Sequence, residues 1–182
     1  MHRVAVLVGS LRKASINRDL ADALSGLARA RFRFESIEIG DLPLYNDDLW
    51  TSPPASVQRF KDEIRRSDAV LFVTPEYNRS ITPVLKNAID WGSRPKNNSV
   101  WAGKPAALAG ASPGNIGAAV AQSHLRYVAS ILDMPVMGQP EIYLSIKPGL
   151  IENGLVTDPT TRAFLAGFLM KFEVWIDRHA GP

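Results

Sequence analysis

Short apolar runs alternate along the chain with amphipathic helical patterns. Three continuous apolar runs, residues 4–8, 69–73 and 106–109, predict central parallel strands, because helices cover both faces of such strands. Residues 32–39 alternate apolar and polar side chains, which predicts a strand with one solvated face towards an edge of the sheet. A fifth strand is expected within residues 135–144.

Between these runs, apolar residues repeat at the spacing of a single helix face. The pattern predicts five helices that would pack on the sheet through their apolar faces. The residues of these faces are Ile16, Leu20, Leu24 and Leu27; Val57, Phe60 and Ile64; Val84, Leu85, Ala88 and Ile89; Ile116, Val120, Tyr127 and Ile131; and Phe164, Leu165, Phe168, Leu169, Phe172 and Trp175. Five strand–helix units in about 180 residues predict an α/β fold with a doubly wound parallel sheet.

The composition is ordinary for a soluble globular protein. Of the 182 residues, 46% are hydrophobic and 21% are charged. The sequence shows no repeat, low-complexity tract or linker, so a single domain spanning residues 1–182 is expected. Asn153-Gly154 lies between two short apolar segments and predicts a tight turn late in the chain.

Several classes of function are disfavoured. The chain has no cysteine, which excludes disulfides, thiolate nucleophiles and Cys-ligated metals, and its three histidines are scattered without metal-ligand spacing. The net charge of +3 is spread along the chain, so we expect no nucleic-acid partner. No apolar run approaches the ~20 residues of a membrane span. Met1 leads into the first strand without a secretory leader, and a cytoplasmic protein is therefore expected.

The first turn carries the most informative chemistry. Residues 9–17 connect the first strand to the first helix, where backbone N–H groups and the helix dipole favour an anion. Two hydroxyls, a guanidinium and an amide join them, from Ser10, Ser15, Arg12 and Asn17. For Ser15 alone, a helix N-cap is the simpler interpretation, but the four together favour phosphate. The glycine patterns of dinucleotide-binding and nucleoside-triphosphatase loops are absent.

Two further loops follow the predicted third and fourth strands. Ligands of such sheets bind outside the carboxyl ends of the strands, which directs attention to residues 74–80 and 110–115. The segment 75–78 offers a rigid proline, an aromatic face and polar atoms that could hold a flat heterocycle by its edge. Taken alone this segment is a β-turn, since proline and asparagine both favour turns. Beside a phosphate site, it favours a phosphorylated planar cofactor.

These motifs resemble a known family. Residues 9–17 (GSLRKASIN), 75–78 (PEYN) and 85–91 (LKNAIDW) occur in the order typical of the NAD(P)H-dependent FMN reductase family, and they most resemble its bacterial quinone and chromate reductase branch. The resemblance covers roughly residues 4–140. It implies a flavodoxin-like three-layer fold, with a five-stranded parallel sheet of order 2-1-3-4-5 and FMN bound non-covalently.

The resemblance also assigns roles to residues. The phosphate of FMN would be held by the side chains of Ser10, Arg12, Ser15 and Asn17 and by the backbone at Leu11 and Ile16. The isoalloxazine ring would be lined by Pro75, Glu76, Tyr77 and Asn78. The pyrimidine end of the ring would be contacted by Ala111, Ser112 and Gly114, and backbone N–H groups at the start of the fourth helix would stabilise negative charge on the reduced ring.

The implied activity is electron transfer from NADH or NADPH to a small acceptor. Quinones are the expected acceptors, with chromate, azo compounds and free flavin as further possibilities, in a two-electron ping-pong mechanism. No residue is expected to act as a catalytic acid or base, and a positional role is the simpler interpretation of Glu76. Arg79 could meet an anionic substrate or be a solvated arginine.

Two other questions remain open in the sequence. A flavodoxin-like electron carrier without nicotinamide oxidation activity is the alternative function, although such carriers are usually acidic. The resemblance also implies a homodimer or homotetramer. Trp91 and Trp101 could lie at its interface, with packing in the core as the other interpretation.

Overall fold

Five parallel strands form the central sheet of the computed structural model, which describes residues 1–28 and 31–179. The strands are β1 (His2–Val8), β2 (Phe32–Ser36), β3 (Ala69–Val73), β4 (Ala106–Ser112) and β5 (Ile142–Ser145). Their order across the sheet is β2-β1-β3-β4-β5, and all four neighbouring pairs are parallel. This confirms the predicted flavodoxin-like fold.

Five α-helices cover the two faces of this sheet. They are α1 (Ile16–Leu27), α2 (Ala55–Arg65), α3 (Pro83–Ser93), α4 (Ala119–Ile131) and α5 (Pro159–His179), and a short 3₁₀-helix (Asp47–Thr51) precedes α2. Two short antiparallel strands, β6 (Ile151–Glu152) and β7 (Leu155–Val156), form a hairpin before α5. The backbone φ angles of Asn153 (48°) and Gly154 (72°) are both positive, which confirms the predicted tight turn.

The sheet separates two hydrophobic cores. Side chains of β1 alternate between them: Val4, Val6 and Val8 face the core under α1 and α5, whereas Ala5 and Leu7 face the core under α2, α3 and α4. This alternation follows from the two-residue period of a strand. Because both faces are covered, the continuous apolar run that predicted β1 is buried throughout its length from residue 4 to residue 8.

The sequence patterns were wrong in three details. Strand β2 ends at Ser36, three residues before the alternating run does. The predicted apolar stripe of α4 faces outward: Tyr127 and Ile131 are 80% and 82% exposed, and Ile116 precedes the helix. The buried face of α4 instead contains Ala121, Gln122, Leu125 and Ala129. Its small residues allow close packing on the sheet, a fit that hydrophobicity alone does not indicate.

The two tryptophans proposed for an interface lie in the core. Trp91 and Trp101 are both fully buried. The Trp91 indole N–H donates to the Pro43 carbonyl at 2.7 Å, and the Trp101 indole N–H donates to the Ile89 carbonyl at 2.9 Å. Since their polar atoms are satisfied inside the chain, these residues carry no signal for assembly.

Neither a membrane span nor a cluster of metal-ligating side chains occurs in the part of the chain that the structure describes. No helix within 1–28 and 31–179 is long and apolar enough to cross a membrane. The same residues contain no group of three or more His, Cys, Asp or Glu side chains arranged to hold a metal ion.

Candidate active site

The turn after β1, residues 9–17, begins at a glycine that lies close to two threonines of other elements. A Cβ atom at Gly9 would lie 2.8 Å from the Thr74 Oγ1 atom and 3.0 Å from the Thr82 Oγ1 atom. Thr74 follows β3, and Thr82 is the N-cap of α3, where its hydroxyl accepts a hydrogen bond from the Leu85 N–H. Only glycine allows β1 to end so close to both threonines. This close approach brings the loop after β1 and the loop after β3 together.

Helix α1 presents unpaired amides to the same region. Ser15 is its N-cap, and the Ser15 hydroxyl accepts a hydrogen bond from the Arg18 N–H at 3.3 Å. The N–H groups of Ile16 and Asn17 have no hydrogen-bond acceptor within the described part of the chain. Such first-turn amides, at the positive end of the helix dipole, form an anion site. The exposed side chain of Arg12 adds a positive charge beside them.

The side chain of Asn17 forms hydrogen bonds within the protein. It is 1% exposed, and its Nδ2 atom donates to the Ala111 carbonyl while its Oδ1 atom accepts from the Ala111 N–H, both at 2.9 Å. The prediction placed this amide at a phosphate. In the structure the amide joins the first turn of α1 to the end of β4.

The loop after β3 contains a two-residue hairpin turn. The N–H groups of Tyr77 and Ser80 each donate to the carbonyl of the other residue at 3.0 Å. The φ angles of Asn78 (51°) and Arg79 (64°) are both positive, as in a type I′ turn. The turn holds the Tyr77 side chain half exposed at the mouth of the loop cluster.

Glu76 connects this loop to the start of α4. Its Oε2 atom accepts hydrogen bonds from the N–H groups of Val120 and Ala121 at 3.0 and 3.1 Å. Its Oε1 atom accepts from the Arg79 guanidinium at 3.0 Å. These bonds agree with a positional role for Glu76. They also correct one expectation, because the two first-turn amides of α4 bind this carboxylate and are not available to a bound ring.

Ser112, the last residue of β4, forms hydrogen bonds that hold the loop after this strand. The Ser112 hydroxyl donates to the Gly114 carbonyl at 2.9 Å and accepts from the Gly117 N–H at 3.1 Å. Gly117 and Ala118 have positive φ angles of 59° and 65°. A Cβ atom at Gly117 would lie 2.3 Å from the Tyr143 carbonyl carbon, so only glycine fits there.

A cavity of about 170 Å³ lies where the three loops meet. Ten of the thirteen predicted residues line it: Ser10, Arg12, Ser15, Ile16, Asn17, Pro75, Glu76, Tyr77, Ala111 and Ser112. Leu11, Asn78 and Gly114 do not line it. The sequence interpretation missed two lining residues, Ala14 and Pro113, which carry no polar side chain that could have marked them.

Comparison with protein families gives a direct match. The model of the NADPH-dependent FMN reductase family matches residues 2–149. This range contains all three loops of the cavity.

Comparison with known proteins agrees. The chain is 52% identical over 177 residues to a quinone reductase of Pseudomonas putida, covering 97% of this chain and 95% of that one. It is 48% identical over 175 residues to a 2-hydroxy-1,4-benzoquinone reductase of a Burkholderia species, covering 96% of both. Among solved structures it is similar to FerB, a flavoenzyme NAD(P)H:(acceptor) oxidoreductase of Paracoccus denitrificans. That match has a TM-score of 0.96 and 49% identity, and it covers all of both chains.

Proposed function

Since the chain belongs to the NADPH-dependent FMN reductase family, we propose that it is an FMN-dependent oxidoreductase that takes electrons from NAD(P)H and passes them to quinones. We take residues 1–182 as one FMN-binding domain. The observation that carries the proposal is the convergence of the anion-binding turn and the tyrosine-bearing turn on one cavity. The names of the relatives point to the same reaction.

The residues of the cavity fit FMN. The unpaired N–H groups of Ile16 and Asn17, with Arg12 beside them, suit a terminal phosphate. Pro75 and the Tyr77 ring offer rigid and aromatic surface to a flat heterocycle. Glu76 contributes no unpaired carboxylate oxygen, because both of its oxygens already accept hydrogen bonds. An anionic ligand therefore meets no uncompensated negative charge there.

Within this proposal, the thirteen residues keep the roles that the resemblance assigned, with one change. Asn17 would meet the phosphate through its backbone N–H, since its side chain is bonded to Ala111. Leu11, Asn78 and Gly114 lie outside the cavity lining and would contribute through backbone atoms or the shape of their turns.

The protein's own contribution to the reaction is binding and orientation. Bound FMN supplies the acceptance and release of two electrons. The turn at Tyr77 would fix the tilt of the ring, and the buried residues Ser10 and Ser15 would close the inner side of the site. Glu76 is engaged by Arg79 and by the start of α4, so it holds the loop and moves no proton.

The electron-carrier alternative is not favoured. Carriers of this fold use acidic surfaces to meet basic redox partners, whereas this chain has a net charge of +3. Its relatives are named as reductases. The acceptor is a small molecule, and quinones are the class that the relatives' names support. We place the reaction in the cytoplasm because NAD(P)H, the proposed reductant, is a cytoplasmic metabolite.

Assembly into a homodimer or homotetramer is also part of the proposal. Tyr127 and Ile131 lie one turn apart on α4 and expose most of their apolar side chains. Beside them a cavity of about 550 Å³ lies between α3 and α4, lined by Pro83, His124 and Val128 among others. Contiguous exposed apolar surface of this kind marks interaction sites. A second copy of the chain, packed through α4, would cover it.

The proposal is tested on the purified protein. Its visible spectrum should show a bound flavin, and reconstitution should be tighter with FMN than with FAD because the first turn ends on a single phosphate site. NADH or NADPH should bleach this flavin in the absence of oxygen, and a quinone should restore the colour. A protein that takes up neither flavin, or whose flavin NAD(P)H does not reduce, would contradict the proposed function.

A further inference from the structure

We propose that Asn17 is a positioning residue that fixes the end of β4 against the turn at residues 9–17, so that its side chain supports the binding of the flavin ring and not of the phosphate. This inference rests on the proposed function. It assigns the Asn17 side chain a task that the sequence motif does not suggest, because in that motif the residue stands among phosphate-binding groups.

The first support is the geometry of the contact. The Asn17 amide makes two hydrogen bonds of 2.9 Å with one residue, Ala111, across 94 positions of sequence. Asn17 is 1% exposed and Ala111 is fully buried. The amide thus pairs with the Ala111 backbone as another peptide group would.

The strand β4 extends further along the sheet than its neighbour β3. The pairing of β3 with β4 ends at Val73 and Ala109, after which the Thr74 N–H donates to the Ala109 carbonyl. A continued parallel ladder would next bring the Ala111 N–H to the Thr74 carbonyl. The chain instead turns away at Pro75, and β4 continues to Ser112 without this neighbour.

The backbone N–H and carbonyl groups of Ala111 have Asn17 as their hydrogen-bond partner because of the direction in which they point from β4. The Ser112 carbonyl accepts from the Ile146 N–H on the β5 side of the sheet. Successive residues of a strand bond to opposite sides, so the polar groups of Ala111 face the side that β3 has left. Asn17 takes the place of the missing strand there. Without it, a buried N–H and a buried carbonyl would lack partners at the wall of the cavity.

This arrangement predicts a specific pattern of ligand affinity. A side chain that binds phosphate contributes to FMN binding and not to the binding of riboflavin, which has the same ring and no phosphate. A side chain that positions Ala111 contributes equally to both, because it acts on the wall that meets the ring. The two roles are therefore separable by comparing the two ligands.

The experiment titrates the full-length protein, freed of flavin, with FMN and with riboflavin. Asn17→Ala should weaken both ligands by a similar factor of about tenfold, the scale of leaving buried polar groups unpaired. Arg12→Ala is the matched control from the same turn. It should weaken FMN by at least about tenfold and leave riboflavin unchanged. An Asn17→Ala variant that loses affinity for FMN alone, or for neither ligand, would overturn the inference.

A second variant covers the case in which Asn17→Ala does not fold. Asn17→Asp keeps the acceptor for the Ala111 N–H but places an oxygen against the Ala111 carbonyl. Protonation of the introduced carboxyl restores a donor, so the affinity for both flavins should be low at neutral pH and should recover as the pH falls. The original protein should not show this recovery of affinity with riboflavin. An Asn17→Asp variant whose affinity does not recover at low pH would also overturn the inference. If the original protein binds neither flavin, the proposed function itself fails.

Discussion

Glu76 and Val120 are joined by a hydrogen bond of 3.0 Å, although they lie 44 residues apart. The residue at the N-cap position of α4, Ala118, has no side chain that can cap the helix. The carboxylate of Glu76 takes over this function from the loop after β3, with a second bond from Ala121. The turn that carries Tyr77 is thus anchored to the start of a helix.

Removal of this cap should destabilise the protein. We expect Glu76→Ala to lower the free energy of unfolding by about 1–2 kcal/mol, the value of a helix N-cap together with its charge–dipole interaction. Glu76→Gln should cost less, because an amide oxygen still accepts from both N–H groups. Urea denaturation measures both. Arg79→Ala is the control and should cost less than about 1 kcal/mol, since it removes only an exposed ion pair. An equal cost for Arg79→Ala would show that the ion pair, and not the cap, stabilises the loop.

Gly9 should not tolerate a methyl group. In Gly9→Ala the new Cβ atom would lie 2.8 Å from Thr74 Oγ1 and 3.0 Å from Thr82 Oγ1, so β1 would have to shift away from the end of β3 and the start of α3. We expect a loss of about 1–3 kcal/mol in the free energy of unfolding, the cost of overpacking. The matched control is Gly167→Ala within α5, where a Cβ atom would meet nothing within 4 Å. That change should stabilise the protein by about 0.5–1 kcal/mol. Thermal unfolding that ranks the two variants in the opposite order would contradict the prediction.

Lys61 should make the stability depend on alkaline pH. It is 3% exposed, and its ammonium donates to the carbonyls of Arg94 and Asn98 under the ring of Trp50. Burial, with a smaller effect from the charge of Arg65, lowers the pKa of Lys61 from 10.5 to about 8.

The sign of the effect follows from proton binding. Between pH 8 and 10.5 the unfolded chain keeps this proton while the folded protein loses it, so the free energy of unfolding should rise with pH. Lys61→Met should remove this part of the rise. Lys171→Met, at an exposed position of α5, should retain it. Urea titrations at several pH values measure the difference, and identical pH profiles for the original protein and Lys61→Met would contradict the assignment.

The two substrates should alternate at one site. The buried residues of the cavity close its inner side, whereas Tyr77 and Arg12 lie exposed at its mouth, which leaves one open face for nicotinamide and quinone. Initial rates should therefore give parallel double-reciprocal lines when the second substrate is varied. Tyr77→Ala should lower flavin retention more than it slows the reductive half-reaction in stopped-flow measurements. Intersecting lines would show that both substrates bind together.

The exposed face of α4 should control assembly. Tyr127→Asp combined with Ile131→Asp should shift the protein towards its 19.9 kDa monomer in light scattering, because charges would replace the apolar contact. Met170→Asp is the control, since Met170 is also an exposed apolar residue but lies on α5. An original protein that is already monomeric at micromolar concentration would contradict the assembly proposal.

The sequence by itself predicted the sheet and its helices, and it directed attention to the three loops that meet at one cavity. The apolar runs of β1, β3 and β4 are buried on both faces. Such strands can be predicted because the pattern that marks them lies within their own residues. The turns at residues 9–17 and 75–78 could be predicted for the same reason, since the preferences of residues for helix caps and turns are local.

Only the tertiary structure decided how the polar groups pair. Asn17 and Glu76 each bond to backbone that lies 44 or more positions away. Asn17 bonds where β4 extends beyond β3, and Glu76 bonds where α4 begins without a side-chain cap. It also decided which face of α4 is buried and that Trp91 and Trp101 belong to the core. Periodicity shows that a residue is apolar or polar, but a partner is chosen by the geometry of buried groups that must all be satisfied at once.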